Sequence, residues 1–544
     1  MSHTSSIFSR TPIELPNRSG FDMSHENLGT ATCGTLVPVL VDELLPNDTI
    51  SLGANFQVQL PPMASDFYGR VDYVLEAFFV PCRLLWGGWK SFMTHPTANP
   101  VYPVNTPAQG RSKYIPRIKF DYNLTSLPDN LRSGSLADYL GFKSTPIEYD
   151  GDGTPSISFS ALPFLAYHRI WDDWYRDSRI QSPLFYAPDS SVPSSSLTGN
   201  TPDNLDPSFA PYVSGGVSSP FSYSSYSSFA DNLSLSDLRQ RNWSKDYFTS
   251  ASPLPQAGTA ATLEFDVNDG QGVFSIAALR SANSLQKWME RNNIMGYKYA
   301  DQIYGQYGCY PSDAIMDKCL YLGRVSQNVY TRSVFQTNPT VAGTTANPFR
   351  TVGAKYGSSQ AIGEGSLVDN IRVKEHGFLF VLASLVPHSY YSTGIRRYLK
   401  RSVVGDIAFP LLSGMGEQAI MNSELYSGAI LNDDVFGYTD LYAEYKYHDD
   451  EVHGLLRDGE NLESFALQRS FVDSPQLSSD FLQIPTDFLD QIFAASSASS
   501  GFACWYDIFF PYKKISTLPE YSIPTLGDLR NVHVKKVSRG GTRL

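Results

Sequence analysis

The sequence predicts a mainly β protein, a sandwich or jelly roll whose long loops carry a few helices. Three observations point there. Short β-rich runs recur along the chain, helical spacing is confined to a few stretches, and the most apolar run, GFLFVLASLVP from Gly377, is far short of the ~18 residues of a membrane span. At 544 residues core size is no limitation, and all-β architectures often extend well past the average domain as one unit.

The elements follow in order. TLVPVLVDELLPNDTISLGANFQVQL from Thr35 reads as strands joined by a tight turn at Pro46, Asn47 and Asp48. In RVDYVLEAFFVP, Val71, Tyr73, Leu75, Ala77 and Phe79 alternate with Asp72 and Glu76 until Phe78 and Val80 make the second face apolar, so one end of this strand is expected to be buried on both sides. CRLLWGGWKSFM changes period, with Leu85, Trp89 and Phe92 or Met93 on one helical face despite Gly87 and Gly88. A second helix, LPFLAYHRIWDDWYRDSRI, is apolar around most of its circumference, and a third spans Ser275 to Gly308. HGFLFVLASLV, DLYAEYKYH and CWYDIFFPYK read as further strands.

Composition narrows the function. The chain is 13% aromatic and only 18% charged, against a typical charged share of about 25%, so much of its outside is expected to be covered by partners. A net charge of −12 argues against nucleic-acid binding by the whole surface and confines any such role to local patches. Five widely separated cysteines without a C-x-x-C pair read as buried thiols rather than a disulfide framework or a zinc site. The start, MSHTSSIFSRTPIELP, lacks the apolar core of a signal peptide, so synthesis inside the cell is expected.

Residues 182–234 form the most deviant segment. It is rich in Ser, Pro and Tyr and holds no Lys, Arg or His. A disordered linker is one reading, but Tyr212, Phe221, Tyr223 and Tyr226 are among too many aromatics for a solvated tether, so an ordered surface insertion that carries recognition is favoured.

Catalytic chemistry finds little support. HDDEVH from His448 offers imidazoles and carboxylates, but on a strand they would alternate between faces, so no metal site is expected. Asp172 and Asp173 lie between two tryptophans, yet adjacent helical residues diverge by about 100° and cannot readily flank one glycosidic bond. IGEGS from Ile362 lacks the third glycine and the lysine of phosphate loops. No cofactor is expected, and no enzyme is required.

The basic residues are more informative. The tail at 529–544 has no acid and holds Arg530, Lys535, Lys536, Arg539 and Arg543, which fits an arm for polyanion contact as well as a solvated terminus. Arg10 and Arg18 add weaker signals. RRYLKR, with Arg396, Arg397, Lys400 and Arg401, fits phosphate contact or, preferably, salt bridges to a neighbouring chain.

Several blocks then carry a resemblance. FDMSHENLGTATCGTLVPVLVDELLPNDTISL from Phe21, FFVPCRLLWGGWKSFM from Phe78, ALPFLAYHRIWDDWYRD from Ala161, DYFTSASPLPQ from Asp246, YPSDAIMDKCLYLGRVSQ from Tyr310, IRVKEHGFLFVLASLVPHSYY from Ile371, GEQAIMNSELY from Gly416, FGYTDLYAEYKY from Phe436 and DIFFPYKKISTLPEYSIP from Asp507 stand in order over most of the chain. Together they resemble the major capsid proteins of the microviruses, small icosahedral single-stranded DNA phages, especially the gokushovirus-like branch. In that branch the long variable insertion follows the equivalent of DYFTSASPLPQ, whereas here the expanded segment precedes it.

The resemblance implies one eight-stranded antiparallel jelly roll over 1–544 with large loop insertions, closing with about 60 copies of itself into a shell. It implies a circular single-stranded DNA genome, a small basic DNA-binding protein, a scaffolding protein, a pilot protein and a host-cell receptor as partners. It also implies a place in the virion after synthesis in the bacterial cytoplasm. On a capsid strand, Ala443, Tyr445 and Tyr447 would enter the core, while Tyr442, Glu444, Lys446 and His448 join Arg396 and Arg397 as candidates for the subunit interface. A carbohydrate-binding or hydrolytic β-sandwich is the rival, supported by aromatics and acid pairs alone.

Overall fold

The computed structural model describes residues 18–63, 67–86, 117–121, 132–142, 156–181, 221–222, 237–255, 280–288, 316–335, 355–413, 416–431, 433–493 and 502–520, with single positions at 89, 93, 301, 303, 304 and 307. Eight strands make the centre: β1 (His25–Ala31), β2 (Val37–Leu44), β3 (Thr49–Gln59), β4 (Val71–Pro81), β5 (Leu320–Asn328), β6 (Lys355–Arg372), β7 (Gly377–Pro387) and β8 (Cys504–Phe510). They pair antiparallel in two sheets, in the orders β1-β8-β3-β6 and β2-β7-β4-β5. Ser19–Asp22 and Tyr512–Ser516 prolong the lines of β1 and β8, and Tyr330–Phe335 pairs beyond β6.

Alternation makes the first sheet. Ile50, Leu52, Ala54, Phe56 and Val58 of β3 are buried, as are Cys504, Tyr506, Ile508 and Phe510 of β8, while Asn55, Gln57 and Asp507 turn outward. The buried rows meet Val39, Tyr73, Leu75, Leu379 and Val381 of the second sheet in one core, which makes the molecule a β-sandwich. Between β2 and β3 the predicted turn is present. Asn47 adopts a left-handed φ of 78°, Asp48 accepts a hydrogen bond from the Leu45 amide at 3.0 Å, and Arg372 donates to the Asn47 side chain at 2.6 Å.

The second sheet is buried on both faces. Every residue of β4 and β7 is buried, and their outer face, Phe78, Val80, Phe378, Phe380 and Leu382, packs under helix α1 (Leu162–Ile170) with Trp86 and Leu136. Two-sided burial therefore runs the whole length of β4, not one end of it as the sequence suggests. The acids are accommodated by partners: Arg70 and His388 reach Asp72 at 3.0 and 3.2 Å, and Arg241 and the Tyr175 hydroxyl reach Glu76 at 2.7 and 2.6 Å.

α1 is buried around most of its surface and continues as a π-helical turn, Trp171–Tyr175. Its adjacent acids diverge, Asp172 to Arg176 at 2.7 Å and Asp173 to Arg169 at 2.9 Å, so they serve as ion-pair partners on opposite sides. Cys82–Leu85 forms a single helical turn, and residues 280–288 are helical with Leu285 and Trp288 half exposed. Cys33, Cys82, Cys319 and Cys504 are buried free thiols, and burial pushes the Cys82 and Cys504 thiols up to about 12. Cys309 lies outside the described residues.

Candidate functional site

Residues 390–457 form a layer of short 3₁₀ turns and small ladders beside the sandwich, joined to it through a third apolar cluster that includes Phe248, Tyr391, Phe436 and Phe481. Asp246 anchors this junction. Its carboxylate accepts from the amides of Phe248 and Thr249 at 3.0 and 2.7 Å and from the hydroxyls of Ser389 and Tyr391 at 2.9 and 2.7 Å. An aspartate three residues before a threonine is a turn signal readable in DYFT, but its tyrosine and serine partners, more than 140 residues away, are not.

The basic run RRYLKR folds as a 3₁₀ turn, Arg397–Lys400, and all four of its cations meet acids of the same chain. Arg396 pairs with Glu451; Arg397 approaches Glu424 at 3.2 Å and Glu444 at 3.8 Å; Lys400 meets Asp433 at 2.5 Å; Arg401 reaches Glu444 at 3.1 Å and lies over the Tyr445 ring. Burial raises the Glu424 carboxyl above its ordinary value even with Arg397 beside it. The Arg397 guanidinium, which burial alone would lower, is raised by Glu424 and its other neighbours.

Glu444 is the hub of this layer, because its second oxygen accepts from Gln418 at 2.6 Å while the Gln418 carbonyl accepts from the Tyr442 amide at 3.1 Å. That grip holds Tyr442 in the left-handed region, at φ 63°, and stops the strand Val435–Asp440 from continuing. DLYAEYKYH is accordingly not a strand: Ala443–Tyr445 is a 3₁₀ turn. Tyr445 and Tyr447 do not enter the core and are 52% and 45% exposed. Alternation cannot distinguish the two cases because tyrosine suits both a core and a polar rim.

Beside this hub a cavity of about 140 Å³ is lined by Tyr247, Tyr391, Arg396, Arg457 and Asp449. Burial, with Asp246 close by, pushes the Asp449 carboxyl up to about 7, and Arg396 only partly offsets this. In HDDEVH, His448 Nδ1 lies 3.3 Å from Arg396 and His453 lies 3.1 Å from Glu451. Among the described residues no group of three His, Cys, Asp and Glu side chains is gathered so that it could hold a metal ion.

This arrangement fixes the geometry of the layer through ion pairs and hydrogen bonds. The family model described as capsid protein (F protein) matches residues 9–273 and 265–526. The chain belongs to this capsid protein family. It is similar to capsid protein VP1 of Chlamydia phage 1, at 26% identity over 95% of this chain and 97% of the relative. It is also similar to capsid protein VP1 of Bdellovibrio phage phiMH2K, at 23% identity with 96% and 98% covered, and to capsid protein VP1 of Spiroplasma virus 4, at 22% with 94% and 95% covered. The resemblance to gokushovirus-type microvirus capsid proteins read from the ordered blocks is thus borne out.

Within this capsid protein the predicted site residues separate into groups. Arg396, Arg397, Tyr442 and Glu444 are brought together as a half-buried platform, and their charged partners lie in their own chain rather than being held open for a neighbour. Lys446 and His448 are exposed at its edge. Arg18 does not hang free for a polyanion; it ties the edge of the first sheet, donating to the Asn47 carbonyl at 2.7 Å and the Thr49 hydroxyl at 2.6 Å. Arg10, Arg530, Lys535, Lys536, Arg539, Arg543, Tyr212, Tyr223 and Tyr226 lie outside the described residues, and of the Ser-rich insertion only Phe221–Ser222 is described, paired in parallel with Ile118 and Lys119.

Proposed function

We propose that this capsid protein is the major coat subunit of a T=1 icosahedral virion, in which about 60 copies close around a circular single-stranded DNA genome. The observation that carries the reading is collinearity: three capsid proteins align with at least 94% of this chain and at least 95% of their own length. The strand orders β1-β8-β3-β6 and β2-β7-β4-β5 support an eight-stranded jelly roll, since two interlocked Greek keys interleave early and late strands in this way. The role is structural, without catalysis. Synthesis takes place in the bacterial cytoplasm, and the companions are a small basic DNA-binding protein, a scaffolding protein and a pilot protein.

Charge assigns the two faces of the shell. A chain of net charge −12 around DNA needs local cations, so Lys535, Lys536, Arg539 and Arg543, with Arg530 and Arg10, face the lumen. The insertion at 182–234 offers no cation and lies outside, where Tyr212, Phe221, Tyr223 and Tyr226 present the surface for host attachment. Lys446 and His448 reach a neighbouring subunit from the platform that Arg396, Arg397, Tyr442 and Glu444 form beneath them.

Electron microscopy of the protein expressed with its neighbouring viral genes tests this. Uniform closed particles are expected, with the basic tail at inner radius and the Ser-rich insertion at outer radius. Dispersed monomers would remove the coat reading, and a tail on the outer surface would remove the charge assignment alone.

A further inference from the structure

Among the described residues between 398 and 435, eleven large apolar side chains are exposed, Leu411 at 94% and Leu431 at 96%. Seven of them lie in four short 3₁₀ turns, Arg397–Lys400, Val404–Asp406, Pro410–Leu412 and Ser427–Leu431; Val403, Ile407 and Phe409 flank these turns, and Val435 opens the strand Val435–Asp440. Their summed exposed area is on the order of 1,000 Å², and exposed apolar groups gathered beyond a few hundred Å² mark an interaction site. Such a surface is normally covered.

The segments are fastened into one face. Lys400 bridges to Asp433 and to the Ser423 hydroxyl, and Leu412 lines one cavity with Arg397, Arg401 and Glu444. Asp406 accepts from the amides of Ser402 and Val403 at 2.8 and 2.9 Å, which fixes the turn that lifts Val404 outward. The face is therefore held in shape before anything meets it.

We propose that this face, built on Leu399, Val404, Ile407, Leu411, Leu412 and Leu431, is the docking surface for a second copy of the same chain. Charge decides against the other classes of occupant. All four cations of RRYLKR are tied to acids of their own chain, so among the described residues this run offers no free basic cluster to draw a nucleic-acid backbone or an anionic lipid headgroup. Area decides for a protein partner, because a stable interface needs about 800 Å² from each side and an obligate one is more apolar than the average surface. The proposal rests on the coat reading above and gives that assembly one of its contacts.

The test uses the full chain expressed with its companion viral genes. A photo-reactive phenylalanine analogue at position 411 is expected to give, on irradiation of purified particles, an adduct of two copies of the chain. An adduct with a different viral protein, or none, would overturn the proposal. In parallel, the double variant Leu411→Asp and Leu431→Asp should keep the thermal unfolding of the unassembled wild-type chain, since both side chains are in solvent there, yet yield at least about a hundredfold fewer particles. Wild-type-like particle yield from that variant would remove the docking surface and leave the coat reading intact. Failure of the wild-type chain to form particles would remove both.

Discussion

The sandwich and the 390–457 layer are held together in different ways. In the sandwich, β4 and β7 bury every residue and the few acids are partnered one by one. Among the described residues of the layer, no strand is longer than six residues, the turns are 3₁₀, and the fixed points are ion pairs radiating from Glu444, Glu424, Asp433 and Glu451. Apolar burial tolerates little local change but asks for no specific partner. A charge network asks for specific partners and, in return, leaves large apolar side chains free to face outward.

Truncation in the sandwich gives the largest expected effect. Phe380→Ala removes a fully buried ring from the face of β7 that packs beneath α1, and should lower unfolding stability by about 3–5 kcal/mol, measured by urea unfolding of the unassembled chain. Glu444→Ala comes next. It deprives Arg397, Arg401 and Gln418 of a shared acceptor and should cost about 2 kcal/mol, confined to the layer. Amide hydrogen exchange separates the two cases: protection should fall around Arg397–Lys400 and stay unchanged in β7. An equal fall in β7 would mean the two regions unfold as one unit, and the contrast drawn above would be lost.

Asp449 gives a pH-dependent effect. Its carboxyl titrates near 7 in the folded chain, mainly because burial penalises the charge, and near its ordinary value of 3.8 when unfolded. Folding therefore retains a proton that the unfolded chain has released. The contribution of this group to stability is greatest below about pH 4, falls as pH rises from about 4 to 7, and levels off above that. The change from 3.8 to about 7 is worth at most about 4 kcal/mol, and Asp449→Asn should abolish that part of the slope between pH 4 and 7. An unchanged slope in the variant would show that the carboxylate is well solvated.

How much was legible in the sequence follows the same division. β3, β7 and β8 can be read directly because their side-chain pattern is their structure: alternation where one face is covered, an unbroken apolar run where both are. The β2–β3 turn is legible because Asn47 and Asp48 act within three residues of themselves. The layer is not, because what ends the strand at Tyr442 is a glutamine side chain 24 positions earlier in the chain, and what neutralises RRYLKR is four acids scattered between 424 and 451. Four acids within fifty residues of a basic run are a signal that could have favoured internal pairing over a neighbouring chain. Exposure of Tyr445 and Tyr447 left no such signal.

The smallest expected effect on folding is the most telling for the layer's purpose. Lys446 and His448 are exposed, and among the described residues no acid lies within salt-bridge distance of either. The double variant Lys446→Ala and His448→Ala should move unfolding stability by no more than about 0.5 kcal/mol, as surface substitutions do. If the pair faces a neighbouring subunit, the same variant should still slow particle formation and make it less sensitive to salt, because a rim charge acts mainly on the rate of encounter. Light scattering during assembly at two ionic strengths reads this directly. Unchanged rates at both would leave the edge of the layer to solvent and confine the contact between copies to the apolar face around Leu411.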